Sequence, residues 1–594
     1  MHRHTLSLVA AATFVASTEA RELTLDPIVV SASKTEQSLR SVTANTDVIT
    51  AEEIAERRYT TLAEALNSLA GVGIAANGGL GKSTSLYLRG FDSKRTLVLI
   101  DGIRYNDNTS MDGASFEHLI LGDIERIEVI KGAQSGIWGS DASAGVVNII
   151  TRKTLPGTEA KARYERGSFG TEKYAASIAY ASEALDVRLD AQQIASDGFS
   201  AYARRYADLD RYEDDAYKNR TLGLSVGYRF DGANTLRFSH TDIDVYTEYD
   251  GTSGDSAANY RKDEKLSRLS YENRFGDALT TVYANRSTFE RDYSTGTAYD
   301  GRVDEYGVHS RIGYRKSDFI VFGGDYKTFE HLNRLNRSYD NKAVFVTNTN
   351  ILATGTVLTE SLRRDAFDAF SDKTTGKIGF KHPFMGEGYL GANYGSAYNV
   401  PTLYQLYDPT YGNTALKPEE TRSYDITVGF GGVSLTYFES RIRDMIEYDF
   451  TASRYGNIEG TSTIKGIEAA CKQELGSDIL VSLGYTRLDA ENQRGENLRR
   501  RAKESLKFGL DYYGIPKTHV AISGEYVGSR YDSDNDQGAQ TGRYTVASLV
   551  ADHTFSKHLK IYAKVDNITD KYYQSVNNYA ASPRAYYAGM EVSF

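Results

Sequence analysis

At 594 residues, with a hydrophobic fraction of 40% and a mean hydropathy of −0.46, the chain is long enough for two units, and beyond residue 20 it has no apolar run of about 20 residues that would cross a membrane as a helix. A formal charge of −10 speaks against nucleic acid as a main partner, although acidic loops could hold cations. Tyr is 44, Gly 53 and Pro only 8, which suits a β-barrel: Tyr fits the membrane–water girdles and a wet lumen, and Pro cannot donate to a strand ladder. A soluble, Tyr-rich, all-β protein fits the same counts.

The N-terminus reads as a secretory signal over residues 1–20. Arg3 lies in a short polar stretch, Leu6 to Ala16 is compact and mostly apolar, and Thr18-Glu19-Ala20 sets small residues at both cleavage-determining positions. Export with a barrel composition implies the outer membrane of a double-membraned bacterium. Residues 21–34 follow as a polar, extended segment. Within it, Leu25, Asp26, Pro27, Ile28, Val29, Val30, Ser31 and Ala32 form a short apolar stretch between polar flanks. Such a free edge can add as a strand to another protein's sheet. A first strand of the next domain, or plain linker, fits the pattern as well.

From about 35 to 153 the pattern is mixed α and β. Thr50-Ala51-Glu52-Glu53 predicts a capping box, with the Thr hydroxyl on the helix start and Glu53 reaching back. A second helix is expected from Thr61 through Leu62, Leu66 and Leu69 to a stop at Gly71. Strands are predicted at Ser85 to Arg89, Leu97 to Ile100, Ile124 to Ile130 and Val146 to Ile150, with a turn at Asp101-Gly102. Ala76-Asn77-Gly78-Gly79-Leu80-Gly81-Lys82-Ser83 imitates a loosened phosphate-binding loop. That site needs a following helix, and the residues after it alternate as a strand, so ATP binding is rejected.

From 157 to 594 strands run throughout. Tyr424, Ile426, Val428 and Phe430 alternate with Asp425, Thr427 and Gly429, then Gly431-Gly432 turns the chain back. Leu559 to Asp566 and Tyr586 to Phe594 alternate in the same way. About 440 residues at roughly 20 per strand and connection give about 22 antiparallel strands, an even number as single-chain barrels require. A lumen of that width needs a plug, and the first 150 residues are the right size. Stretches 196–219 and 248–263, rich in Asp, Tyr, Asn and Gly, read as outer loops.

One such loop carries Asp208, Asp210, Glu213, Asp214 and Asp215, and the next carries Asp250 and Asp255. Calcium takes six to eight oxygens, so carboxylates from adjacent loops can share an ion; a solvated acidic loop is the plain alternative. The single cysteine, Cys471, excludes an intramolecular disulfide and a Cys-rich zinc site, and no catalytic Ser/His/Asp set stands out, so no enzyme and no required cofactor are expected. Arg499-Arg500-Arg501 is placed near a membrane face or strand end.

Residues 26–32 resemble the TonB box of TonB-dependent outer-membrane receptors. Leu88-Arg89-Gly90-Phe91, Val98 to Gly102, Ile124 to Gly132 and Trp138 to Thr151 resemble that family's plug motifs, in order and at plug spacing. Ser396 to Tyr407 with Asn413 and Leu416 to Glu419, Leu498 to Lys503, and Val565 to Tyr573 resemble barrel motifs of the family's vitamin B12 (cobalamin) receptors, and are shared in part with ferric-siderophore and haem receptors. The resemblance implies a 22-stranded transmembrane β-barrel (157–594) with an α+β plug (35–153) inside it. It implies active uptake of a scarce bulky ligand, with a TonB-like periplasmic protein pulling on the box and outer-membrane lipid around a monomer. Lys82, Ser83, Thr84 and Ser85 would face the ligand at the plug apex, with Asn108, Thr109 and Ser110 in a second apical loop. Cobalamin is the expected cargo, a ferric siderophore or, less so, haem the rival, and a passive porin or adhesin the alternative of another class. Cobalamin receptors are similar in placing calcium in these loops, though Ala216 stands where the family pattern often has Gly. Haem receptors usually supply iron-ligating histidines; here His118 and His331 are isolated, and none lies between Asn399 and Pro418.

Overall fold

Alternation in the last two-thirds of the chain produces a closed barrel of 22 strands in a computed structural model that describes residues 28–251, 254–315 and 317–594. The expected signal segment, Asp26 and Pro27 lie outside the described residues. Each barrel strand pairs antiparallel with the next, and the first, Gly157–Gly167, closes the ring against the last, Ala585–Ser593, with Tyr164 opposite Met590. Closure leaves no strand edge unpaired. On strand Glu419–Phe430, Tyr424, Ile426, Val428 and Phe430 are exposed outward, while Asp425 and Thr427 are buried in the lumen. The apolar face therefore looks out, as a lipid-facing wall requires. Gly431 and Gly432, at φ of 52° and 79°, make the two-residue turn to Val433–Asp449.

A transmembrane strand needs about 9–11 residues, yet Gly254–Phe275 and Arg454–Leu475 run 22 each. The excess carries the barrel wall past the membrane on the side of the long connections. Stretch 248–263 is therefore not an outer loop: its described residues continue two paired strands, Tyr249 opposite Ala258 and Gly251 opposite Gly254. Its polar composition had read as loop because a strand standing clear of lipid needs no apolar face. Stretch 196–219 holds loop residues from 197 to 216, with a short 3₁₀ turn at Leu209–Arg211.

Inside the barrel sits the mixed domain. Its strands are β1 (Ile28–Val29), β2 (Gln37–Ser38), β3 (Thr46–Thr50), β4 (Val72–Ala76), β5 (Thr84–Leu88), β6 (Thr96–Ile100), β7 (Ile103–Arg104), β8 (Ile124–Lys131) and β9 (Gly145–Thr151). The order β3-β8-β9-β6-β7 forms its main sheet, in which only β6 and β9 are parallel. Val98, Ile127, Val129 and Val147 fill the core beneath it. The phosphate-loop mimic runs into strand β5, not a helix.

Helices α1 (Ala51–Arg57) and α2 (Leu62–Leu66) start where Thr50 and Thr61 accept from the amides of Glu53 and Glu64. The capping box at Thr50 is not completed, because the Glu53 carboxylate instead meets Lys472 of the barrel at 3.2 Å. α2 ends a turn earlier than Leu69; the Ser68 hydroxyl donates to the Ala65 carbonyl at 2.7 Å and tightens the exit. Gly71 then turns at φ 77°, and a Cβ there would run into Glu468.

That close approach belongs to the plug–barrel seam. Arg89 grips Glu468 through two bonds of 3.0 and 2.8 Å, and Arg95 grips Glu419 through two of 2.9 and 2.6 Å. Arg57 meets Asp511 at 2.5 Å, and the Tyr105 hydroxyl donates to Glu264 at 2.5 Å. Arg501 of the predicted basic run donates to the Gly90 carbonyl at 3.0 Å and lies over the Tyr87 ring. These lumen-facing polar residues thus find partners in the plug.

Candidate functional site

The first region is the N-terminal segment. β1 pairs antiparallel with β2, Val29 opposite Gln37, and Val29 packs with Ala32, Val42 and Ile130. The amides of Val30 and Ser31 donate to the Glu128 carboxylate at 3.0 and 2.8 Å, and the Ser31 hydroxyl does so at 2.6 Å. Arg126 holds the other Glu128 oxygen at 2.9 Å. The Trp138 indole N–H donates to the Ser31 carbonyl at 2.8 Å, and Asn148 to its hydroxyl at 3.0 Å. Ile28 alone of this set is well exposed. Lys34 lies against the rings of Trp138 and Phe345, 3.7 Å from Asp325 of the barrel, and burial lowers its pKa to about 8. The segment is therefore docked through one carboxylate, a few further polar contacts, its pairing with β2 and the small apolar cluster around Val29. Glu128, Trp138 and Asn148 fall inside the plug motifs read from sequence, but nothing in those motifs assigns them this task.

The second region is the plug apex. Ser83 is exposed and Thr84, Ser85 and Ser110 are half-buried; the Thr84 hydroxyl donates to the Lys82 carbonyl at 2.8 Å and the Ser110 hydroxyl accepts from the Asp112 amide at 3.2 Å. Lys82 is buried, and its ammonium donates to the carbonyls of Asp215 and Ala216 at 3.1 and 3.2 Å and to the Thr247 hydroxyl at 3.2 Å. Burial lowers its pKa to about 8. Asn108 and Thr109 are buried too. Thr109 donates to Asp107, and Asn108 bonds to the Glu330 carbonyl at 3.1 Å while accepting from the Leu403 amide. Leu403 begins α4 (Leu403–Tyr407), the helix that follows the short α3 of the plug (Ser135–Trp138), and it carries a complete capping box between Thr402 and Gln405.

Above the apex, six tyrosines form a continuous arc. Tyr249, Tyr260, Tyr293, Tyr299, Tyr404 and Tyr455 follow one another with ring centres 5.8, 5.3, 6.1, 6.0 and 6.3 Å apart. Arg291 lies over the Tyr299 ring at 4.8 Å, Arg334 approaches the same ring at 6.0 Å, and Arg337 lies over Tyr407 at 5.4 Å. The tyrosine count signalled this surface; the arc itself joins residues up to 206 positions apart in sequence (455 − 249) and has no local signature. His118 and His331 are both buried, and His118 is bonded to the Tyr260 hydroxyl at 2.9 Å.

The third region is acidic. Carboxylate oxygens of Glu213, Asp250 and Asp255 lie within 4.8 Å of one another. Asp215 is buried beside them; it accepts from the Ala201 amide at 2.6 Å, and its Oδ1 has no hydrogen-bond donor among the described residues. Burial first, then Asp250, raises its pKa to about 7. Asp208, Asp210 and Asp214 are exposed and outside this cluster, Asp208 capping the short 3₁₀ turn.

Two family models match the chain: "TonB dependent receptor-like, beta-barrel" over residues 163–568, and "TonB-dependent Receptor Plug Domain" over 38–146. Similar curated proteins include the vitamin B12 transporter BtuB of Vibrio cholerae serotype O1, 28% identical over 96% of this chain and 95% of the relative. BtuB of Photobacterium profundum is 28% identical over 97% and 96%. Among solved structures, the ferric enterobactin receptor PfeA of Pseudomonas aeruginosa aligns with a TM-score of 0.78 at 18% identity, over 92% of this chain and 99% of that one. The siderophore receptor PirA of Acinetobacter baumannii gives 0.78 at 16%, over 92% and 98%. These structures share the fold.

Proposed function

The chain belongs to the TonB-dependent receptor family of Gram-negative outer-membrane transporters, and from that premise we propose that it imports cobalamin as a monomer, with residues 26–32 as the segment a TonB-like periplasmic protein pulls. The observation that carries the coupling is the dock on Glu128. Its polar contacts centre on one carboxylate and can be replaced by water when the segment leaves, and the apolar contact given up is mainly that of Val29. Once released, residues 28–31 offer an extended edge for strand addition. Pulling on them loads Trp138, Asn148 in the middle of β9 and the Lys34–Asp325 contact, and so acts on the plug while the barrel ladder stands. A passive pore needs an open lumen, and here the plug occupies it.

For the cargo, the likeness to vitamin B12 transporters covers nearly the whole chain. The hydroxyls of Ser83, Thr84, Ser85 and Ser110 under a tyrosine arc suit a large, flat, amide-fringed ring. Lys82, Asn108 and Thr109 serve this site by bracing it. Glu213, Asp215, Asp250 and Asp255 are the residues we assign to calcium, which would order the loop over the apex. A ferric siderophore is the second reading, favoured by Arg291, Arg334 and Arg337 on the vestibule wall, which suit an anionic chelate. The buried histidines speak against haem.

Radiolabelled cyanocobalamin is added to the purified receptor with and without calcium, with ferric siderophores as competitors. Saturable binding strengthened by calcium supports the reading. Absence of binding in both conditions, or displacement by a ferric chelate at lower concentration, overturns the cargo. In cells, Val29→Pro retains binding and abolishes uptake; uptake that persists removes the coupling role.

A further inference from the structure

At the short-turn end of the barrel, helix α1 of the plug meets the wall over a group of side chains that uptake does not use. Strands Glu504–Ile515 and Thr518–Val527 are joined there by a tight turn, Ile515 pairing with Thr518. Short turns of such barrels face the periplasm. Asp511 and His519 stand just inside this turn and are buried, and Asp552 of strand Tyr544–Ser556 is buried opposite His519 in the sheet. Glu56 and Arg57, the last residues of α1, come down on the same spot. The His519 imidazole is held at both nitrogens: Nδ1 lies 3.1 Å from Asp552 and Nε2 3.1 Å from Asp511. The Tyr513 ring stacks on it with 5.0 Å between centres, and the Tyr513 hydroxyl donates to Glu56 at 3.0 Å. One donor atom each from Glu56, Asp511 and His519 lie within 4.8 Å of one another.

Charge in this cluster is unevenly covered. Arg57 takes the second oxygen of Asp511 at 2.5 Å, and Lys560 lies 3.2 Å from the second oxygen of Asp552. Arg58 turns away to Glu591 and the Tyr562 ring. Glu56 is half-buried and pairs with no Lys or Arg among the described residues, and Glu52, one turn before it, adds like charge. Glu56, Asp511 and Asp552 therefore meet Arg57 and Lys560, with an imidazole between them. The ring can hold a proton at Nε2 or give that place to a metal ion. Two features favour the ion. Asp552 on Nδ1 sets the tautomer that turns the Nε2 lone pair toward Asp511 and Glu56, as carboxylates behind metal-bound histidines do. A proton on Nε2 is donated to Asp511 and leaves Glu56 with a neutral hydroxyl, whereas one ion can take both carboxylates. Zinc accepts imidazole nitrogen and carboxylate oxygen at about 2.0–2.2 Å in a four-coordinate shell, which these three donors and a water would fill.

We propose that Glu56, Asp511 and His519 bind a zinc ion, with Asp552 as a positioning residue behind the imidazole. Glu56 belongs to the plug and the other two to the barrel, so the ion ties α1 to the wall, and zinc in the periplasm sets how readily the plug gives way. The purified receptor, stripped with a chelator, is titrated in detergent with zinc chloride against a fluorescent zinc indicator. Millimolar calcium and magnesium fill oxygen-only sites. Saturable binding of a single zinc ion per chain is expected. Glu56→Gln and His519→Gln each lose at least tenfold in affinity and Asp552→Asn about tenfold, whereas His553→Gln, at the same end but bonded to Thr518, changes less than twofold. Cobalt(II) in place of zinc gives visible absorption bands that His519→Gln abolishes. Heat-resistant gel migration confirms that each variant is folded. In urea, zinc moves the change in Trp138 emission to higher concentration in the unmodified receptor and not in Glu56→Gln. Absence of saturable binding, or binding that survives both Glu56→Gln and His519→Gln, overturns the site and leaves His519 as a protonated bridge between two aspartates. Binding that does not move the Trp138 transition overturns the tie between plug and wall.

Discussion

Glu128 is the residue on which the coupling segment hangs, since one carboxylate accepts from Val30, from Ser31 and from the Ser31 hydroxyl. Hydrogen bonds to a charged group are worth about 1.5–3 kcal/mol each. Removing the charge by Glu128→Gln should weaken the dock by an amount of that order and raise the released population roughly ten- to a hundredfold. Trp138, the single tryptophan of the chain, donates to the Ser31 carbonyl and reports the change. Its emission is expected to shift red and become more quenchable by acrylamide; unchanged emission would mean that Glu128 is not the latch. A second residue-scale outcome follows from Asp215, whose carboxyl is pushed up to about 7. The raised value means that ionising it in the folded state is costly above that pH and is avoided below it. Calcium needs the ionised form, so binding below pH 7 must displace a proton. Apparent calcium affinity should fall about tenfold from pH 8 to pH 6, with proton release visible by calorimetry in buffers of different ionisation enthalpy. An affinity flat across that range would place Asp215 outside the ion's shell.

At the scale of elements, α4 is a short helix that depends on its cap. Thr402 and Gln405 satisfy each other's backbone amides, and the Leu403 amide bonds to Asn108 of the apex. Thr402→Ala should cost about 1 kcal/mol, and hydrogen exchange over Leu403–Tyr407 should then speed up about fivefold while the barrel strands stay protected. Protection that is unchanged would show that packing of Tyr404 and Leu406, not the cap, holds the helix. Elements also show what the sequence could reveal. Tyr424 to Phe430 was readable as a strand because lipid on one side and polar lumen on the other impose a period of two. Stretch 248–263 was not, because beyond the membrane both faces of a strand are wet and the period fades. The apical loops showed a similar limit: Lys82 and Thr109 looked like ligand-facing polar residues, yet they brace the plug, since a buried polar residue with a distant partner looks in sequence like a solvated one.

For the molecule as a whole, the same blindness hides the seam between plug and barrel, whose pairs join positions hundreds of residues apart, such as Arg89 with Glu468 and Arg95 with Glu419. The seam decides how the receptor can move. Beside an apolar cluster that joins plug residues such as Leu66 and Phe91 to barrel residues such as Phe438 and Ile464, it holds many ion pairs and hydrogen bonds whose two sides regain water when they part, so each of these contributes a net of about 0.5–1.5 kcal/mol when neutral and more when charged. Parting two barrel strands within a membrane or micelle instead exposes backbone groups that find no partner in hydrocarbon, at several kcal/mol each. The plug should therefore yield well before the barrel, and a pull on residues 28–31 is delivered to the weaker of the two units. In urea this predicts two transitions for the detergent-solubilised receptor. Trp138 emission, which belongs to the plug, should change at lower urea than the far-ultraviolet circular dichroism of the 22 barrel strands. Glu468→Ala, which takes away the two-bond partner of Arg89 but leaves it Asp425 at 3.5 Å and leaves Lys131 its pairing with Asp47 at 2.8 Å, should move the first transition to lower urea by about 1.5–3 kcal/mol and leave the second in place. Coincident transitions, or a second transition that moves with the first, would mean that plug and barrel unfold as one body and that pulling on the segment must strain both.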